Sequence, residues 1–225
     1  MKIADINTFI VGNPPPHFGG RYFIFLKLVT DSGLEGYGEV YSVPFHPRVV
    51  ALMIEDVAER LVIGHDPFKI ERLWRTIYSS GYTQRPDMAI AGVLSGIEMA
   101  CWDIIGKAVN KPIYELLGGR VHERLRTYTY LYPEESDKTD VYLDPELAAE
   151  RAAANVAQGF SAVKFDPVSA YSAFDPRQLS LEALEGAERF VKTIREAVGG
   201  QCDLLFGTHG QMTPAAAIRL ARRLE

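Results

Sequence analysis

The stretch "DPELAAERAAANVAQGFSAVKFD", Asp144 to Asp166, holds a helix and the strand after it. Asp144 suits an N-cap, because its carboxylate can accept from the free amides of a first turn. Pro145 suits the first helical position, where no amide hydrogen is needed. Gly159 suits the stop. "SAVKFD" is then short and β-branched, as a strand should be.

The same order recurs downstream. "SLEALEGAERFVKTIREAVGG" is a helix capped by Ser180, and "CDLLFGTHG" is a strand. "TPAAAIRLARRLE" is a helix capped by Thr213. Upstream, "RLRTYTYLY" is strand-like. Strands therefore start near Leu125, Ala162 and Asp203, about every forty residues, a spacing that builds parallel sheets, doubly wound or closed as an eight-unit barrel. Three units cannot close a barrel that needs eight, and the chain stops at Glu225 inside a helical pattern. The expectation is a piece of a longer protein, with an open sheet as the alternative.

The first half reads differently. "KIADINTFIV", "RYFIFLKLVT" and "LEGYGEV" suggest a β-meander turning at Gly33. The intervening "GNPPPHFGG" is too rich in Pro and Gly for regular structure and is either a lid or a surface connection. "PRVVALMIEDVAERLV" sets Val50, Met53, Ile54, Val57 and Leu61 on one stripe. "PFKIERLWRTIY" has the same form, and "PDMAIAGVLSGIEMACWDIIGKAV" is apolar all round, so it belongs among neighbours. "KPIYELLGG" is a short helix closed by glycine.

Composition narrows the function. The chain has 225 residues, 24 basic and 29 acidic, for a net charge of −5. No basic stripe for nucleic acid is present. Cys101 and Cys202 lie far apart in apolar contexts and read as buried thiols. No signal peptide and no uninterrupted apolar run of membrane-spanning length occurs, so no membrane is expected and the default location is the cytoplasm.

Chemistry in parallel α/β folds collects at the carboxyl ends of strands. Lys164 and Asp166 are two apart and share a face. His209 stands just past the next strand. Side by side, the three can move protons or hold a metal-bound acid. Alternatively, Asp166 before Pro167 is turn chemistry, Lys164 pairs a neighbouring acid, and His209 is a plain loop residue. His17 and His46 are weak loop candidates, and His65 and His122 look structural. The glycines of "GYGE" form no phosphate loop.

Three segments carry a family resemblance: "SGIEMACWDIIGKAVNKPIYELLGG" (Ser95 to Gly119), "VTDSGLEGYGEV", and "VKFD". They resemble the mandelate racemase and muconate-lactonizing group of the enolase superfamily, in order along the whole chain. Trp102 to Lys107, as Trp-Asp-x-x-Gly-Lys, is the most specific part. Within the group the likeness is greatest to galactonate-type acid-sugar dehydratases, whose third strand ends Asp-x-His. The resemblance implies an α/β fold: an N-terminal α+β cap over residues 1–119, then the first three units of a TIM-type (β/α) barrel over 120–225. It implies a hydro-lyase acting on a sugar acid to give a 2-keto-3-deoxy acid, a Mg²⁺ cofactor, and a homo-oligomer. His209, Lys164 and Asp166 become the catalytic candidates. "GNPPPHFGG" falls at the family's lid, which makes His17, Arg21 and Tyr22 substrate-binding candidates.

One departure stands out. Gly207 occupies the place of the family's first metal-ligand Asp, and Asp203 lies at the wrong end of the strand. Either His209 becomes the metal ligand, or later strands supply the ligands, or no metal binds normally. A racemase, epimerase or cycloisomerase of the same group is the rival reading. A non-catalytic or fragmentary member is the other.

Overall fold

The computed structural model describes residues 1–15, 17, 19–41, 45–81, 87–168 and 178–225. The chain divides into two compact units, Met1–Glu123 and Arg124–Glu225. The division falls just after the expected Gly119, because Arg120 binds back to the first unit. Its guanidinium donates to the Tyr114 hydroxyl at 2.9 Å and pairs with Glu123 at 2.8 Å.

In the first unit, β1 (Ile3–Gly12), β2 (Tyr22–Thr30) and β3 (Glu35–Glu39) form an antiparallel meander in the order β1-β2-β3. Helices α1 (Pro47–Leu61), α2 (Ile70–Tyr78), α3 (Met88–Val109) and α4 (Ile113–Leu116) follow. The first turn of α3 is capped by Asp87, whose carboxylate accepts from the Ala89 and Ile90 amides. Pro86, read as the start of that helix, lies outside the described residues, as do Pro16 and Phe18 of the proline loop. Val50, Ile54 and Val57 are buried as their stripe requires, with Met53 and Leu61 packed at its edge.

Taken as a whole helix, the 22 residues of α3 are long and apolar enough to cross a membrane. Sequence alone showed no such segment, because Glu98, Asp103 and Lys107 interrupt the run. The apolar residues instead fill a protein core: Val93, Ile97, Ala100, Cys101 and Ile104 are fully buried against β2 and the other helices.

The glycines of β3 explain how α3 sits so close. A Cβ on Gly38 would lie 1.9 Å from the Gly96 carbonyl oxygen, and one on Gly36 would lie 2.1 Å from that of Ala100. The Trp-Asp-x-x-Gly-Lys motif fastens the same contact. Asp103 accepts from the Tyr37 amide at 2.9 Å, and Lys107 donates to the Glu35 carbonyl at 2.7 Å.

In the second unit, β4 (Thr129–Tyr130), β5 (Ala162–Phe165) and β6 (Asp203–Phe206) lie parallel in sequence order. Helices α5 (Pro145–Ala157), α6 (Leu181–Val198) and α7 (Pro214–Leu224) complete the units. Asp144, Ser180 and Thr213 all cap as read, each side chain accepting from a first-turn amide. Strand β4 is shorter than its sequence suggests. Among the described residues it pairs with β5 alone, and upstream of it Arg126 turns instead to Ser161 and Asp203. Val163 and Phe165 point to the helices and are buried with Ala148, Ala152, Phe190 and Ile194. The opposite face of β5 therefore carries Lys164 and, just beyond the strand, Asp166.

Candidate active site

The parallel register decides what meets at the strand ends. Lys164 lies between Tyr130 of β4 and Leu205 of β6. Two residues on, the Gly207 amide donates to the Phe165 carbonyl at 2.9 Å, which carries the alignment past the last ladder residues. Asp166 and Gly207 are thereby neighbours on one face.

Asp166 and His209 touch. His209 Nε2 stands 3.2 Å from Asp166 Oδ2. His209 holds a left-handed backbone, with φ of 47°. Such a conformation is uncommon for a residue with a Cβ and favours positions where function fixes the side chain. The flanking Gly210 is also left-handed, at φ 65°, which answers why the histidine sits beside glycine.

The other oxygen of Asp166 has no such partner. Oδ1 is buried and makes no hydrogen bond, one of two such side-chain atoms among the described residues. A Cβ placed on Gly207 would lie 2.1 Å from that oxygen. The place beside His209 that a side chain at position 207 would use is thus not empty. The Asp166 carboxylate fills it from the neighbouring strand.

Lys164 is turned elsewhere. Its ammonium lies 5.0 Å from the ring centre of Tyr130 and 5.5 Å from that of Tyr128. The side-chain hydrogen bond with Tyr130 raises its pKa above the ordinary value, with the charge of the same group and of Tyr128 adding to it against partial desolvation. Lys164 is held as a cation, whereas a lysine base needs the opposite shift. Tyr142, on the segment before α5, has its pKa pushed up to about 12 by burial and by the nearby Asp166 charge. Sequence reading passed over these tyrosines. Their signal was the alternation of Tyr128, Tyr130 and Tyr132, which puts three rings on one strand face.

His17, Arg21 and Tyr22 belong to the first unit. His17 is left-handed at φ 61°, and its Nδ1 is 2.6 Å from the Asn13 carbonyl. Asn13 also closes the loop, donating from its amide to the Gly20 carbonyl at 2.6 Å. Tyr22 packs its ring on the core and donates its hydroxyl to the Phe45 carbonyl at 3.2 Å. His17 and Arg21 are exposed. His46 is accounted for as the α1 cap, accepting from the Arg48 amide.

Comparison with known proteins identifies the family. Residues 18–118 match the mandelate racemase / muconate lactonizing enzyme N-terminal domain, and residues 147–225 match the enolase C-terminal domain-like family. A solved candidate mandelate racemase/muconate lactonizing enzyme from Labrenzia alexandrii DFL-11 is 63% identical, with a TM-score of 0.94 over 100% of this chain and 56% of its own. The chain belongs to the mandelate racemase/muconate-lactonizing group of the enolase superfamily. A D-galactonate dehydratase from Xanthomonas oryzae pv. oryzae (strain PXO99A) is 32% identical over 100% of this chain and 53% of its own length. A D-gluconate dehydratase from Thermoproteus tenax is 32% identical over 91% of this chain and 39% of its own. The chain spans about half the length of the galactonate dehydratases it matches.

Membership in this superfamily implies Mg²⁺, which accepts oxygen donors in near-octahedral geometry. Among the described residues no group of three or more His, Cys, Asp or Glu side chains is placed to hold a metal. One donor nevertheless fits. Asp166 Oδ1 is a carboxylate oxygen, buried, unbonded, and seated where a ligand side chain at position 207 would project.

Proposed function

We propose that this chain forms part of an acid-sugar dehydratase, which removes water from a sugar acid to give a 2-keto-3-deoxy acid. The observation that carries the reading is the Asp166–His209 pair at adjoining carboxyl ends of parallel strands. The names of the relatives, D-galactonate and D-gluconate dehydratase, support the substrate class.

The reaction breaks a C–H bond beside a carboxylate and then a C–O bond one carbon further on. A bound divalent cation supplies electrostatic stabilisation of the enediolate charge. His209 exchanges the proton. With Nε2–H donated to Asp166, the lone pair of a neutral ring is on Nδ1, the atom left to take up the proton. Lys164, kept protonated by Tyr130, supplies fixed positive charge toward the substrate's carboxylate rather than a second base. One base plus a proton donor suits elimination, whereas racemisation needs two opposed bases. His17, Arg21 and Tyr22 are proposed as substrate-binding residues.

Purified full-length protein with Mg²⁺ and a panel of aldonic and aldaric acids should yield 2-keto-3-deoxy acids. His209→Asn should lower kcat about 10²- to 10⁴-fold, the usual worth of a proton-transfer group. Unchanged turnover by that variant on every accepted substrate would remove His209 from the mechanism.

A further inference from the structure

We propose that Asp166, at the end of the second barrel strand, provides the carboxylate ligand for a divalent cation through Oδ1, in place of the side chain absent at Gly207. The inference rests on the metal-assisted reading above and names a ligand that the resemblance itself does not. The resemblance points instead to position 207, or to His209 as a substitute.

Three observations converge on Asp166. Its Oδ1 is buried without a hydrogen bond, a costly condition for a carboxylate oxygen unless a cation or another donor completes it. The volume it occupies is the one a Cβ at 207 would claim, at a 2.1 Å separation. A side chain at 207 would have to displace the Asp166 carboxylate from its present position, so glycine at 207 leaves room for the aspartate at 166. Lastly, Oδ2 is already held by His209 at 3.2 Å, which orients the carboxylate as the second-shell partner of a metal ligand does. His209 is the poorer ligand for a hard cation, since Mg²⁺ prefers oxygen. Its Nε2 is also committed to Asp166.

The test measures Mn²⁺ binding to the full-length protein by electron paramagnetic resonance of the free ion, without substrate. Asp166→Asn keeps size and shape while removing the charge. It should weaken Mn²⁺ at least about tenfold, in the range expected for losing a metal-site interaction. Its metal-free melting temperature should match wild type. Transferring the carboxylate, in the double variant Asp166→Ala with Gly207→Asp, should return binding to near the wild-type level. Mn²⁺ bound by Asp166→Asn as tightly as by wild type overturns the inference and leaves the dehydratase reading standing. Wild-type protein that dehydrates acid sugars without binding Mn²⁺ or Mg²⁺ overturns the inference alone. Wild-type protein with neither binding nor turnover overturns both.

Discussion

Among single residues, Lys164 shows how a neighbour sets a role. Spacing placed it beside Asp166, either as a proton-moving group of the site or as an ion-pair partner of a neighbouring acid. The structure turns it to Tyr130 and Tyr128 instead, a contact across strands that no spacing within one strand contains. The Tyr130 contact raises the Lys164 pKa above its ordinary 10.5. A group with a raised folded pKa stabilises fully below its unfolded value, and the contribution is lost as pH climbs through the folded one. Wild-type stability should therefore fall as pH rises beyond about 10. Tyr130→Phe removes the largest cause, so its stability should decline less over the same range. Urea midpoints for both proteins between pH 8 and pH 11 give the comparison, and parallel curves would show that Tyr130 does not hold the cation. Gly207 teaches a related lesson. Read alone it is a missing ligand, and only the neighbouring strand shows the carboxylate that uses its space.

At the level of elements, the caps were the most legible part. Asp144, Ser180 and Thr213 each cap as written, because a cap depends on residues within one turn. The glycines of "EGYGE" were legible only as an exclusion, since their purpose lies in α3, far along the chain. Gly38 and Gly96 meet backbone to backbone. A Cβ on Gly38 would fall 1.9 Å from the Gly96 carbonyl, and no side-chain rotation relieves a clash with main chain. Gly38→Ala should cost roughly 3 kcal/mol, at the upper end for overpacking, because α3 must slide off the sheet. Gly33→Ala is the contrast. Nothing crowds its Cβ, and the penalty comes only from a φ of 82°. It should cost about 1 kcal/mol, the usual scale for an αL site given to a residue with a Cβ. Chemical denaturation of the three proteins orders them directly. Equal costs for the two variants would mean that close approach, rather than backbone conformation, has been overvalued.

Across the whole molecule, the two units are held by separate cores. The first unit closes its own: strands β1 and β2 carry Ile3, Ile24, Leu26 and Leu28 against helices that cover them with Val50, Ile54, Ile97 and Ile104. The second unit has a core of its own, around Val163, Phe165, Phe190 and Ile194, but its sheet is open. Strands β4 and β6 each pair only with β5 among the described residues, leaving an unpaired row of backbone groups on either side. An open edge of this kind templates pairing with another chain. The parallel βαβ order was readable from repeat spacing, because each unit is local. The open edges were readable from the count of three against eight, since closure is a property of the whole barrel. The two units should therefore behave differently when produced apart. Residues 1–123 should be monomeric and unfold in one cooperative step. Residues 124–225 should elute as a multimer, with Phe206, 41% exposed on β6, adding apolar surface to the free edge. Size-exclusion chromatography with light scattering separates the outcomes. A monomeric second unit with a cooperative melt would show that α5, α6 and the strand order suffice to protect the edges without further strands.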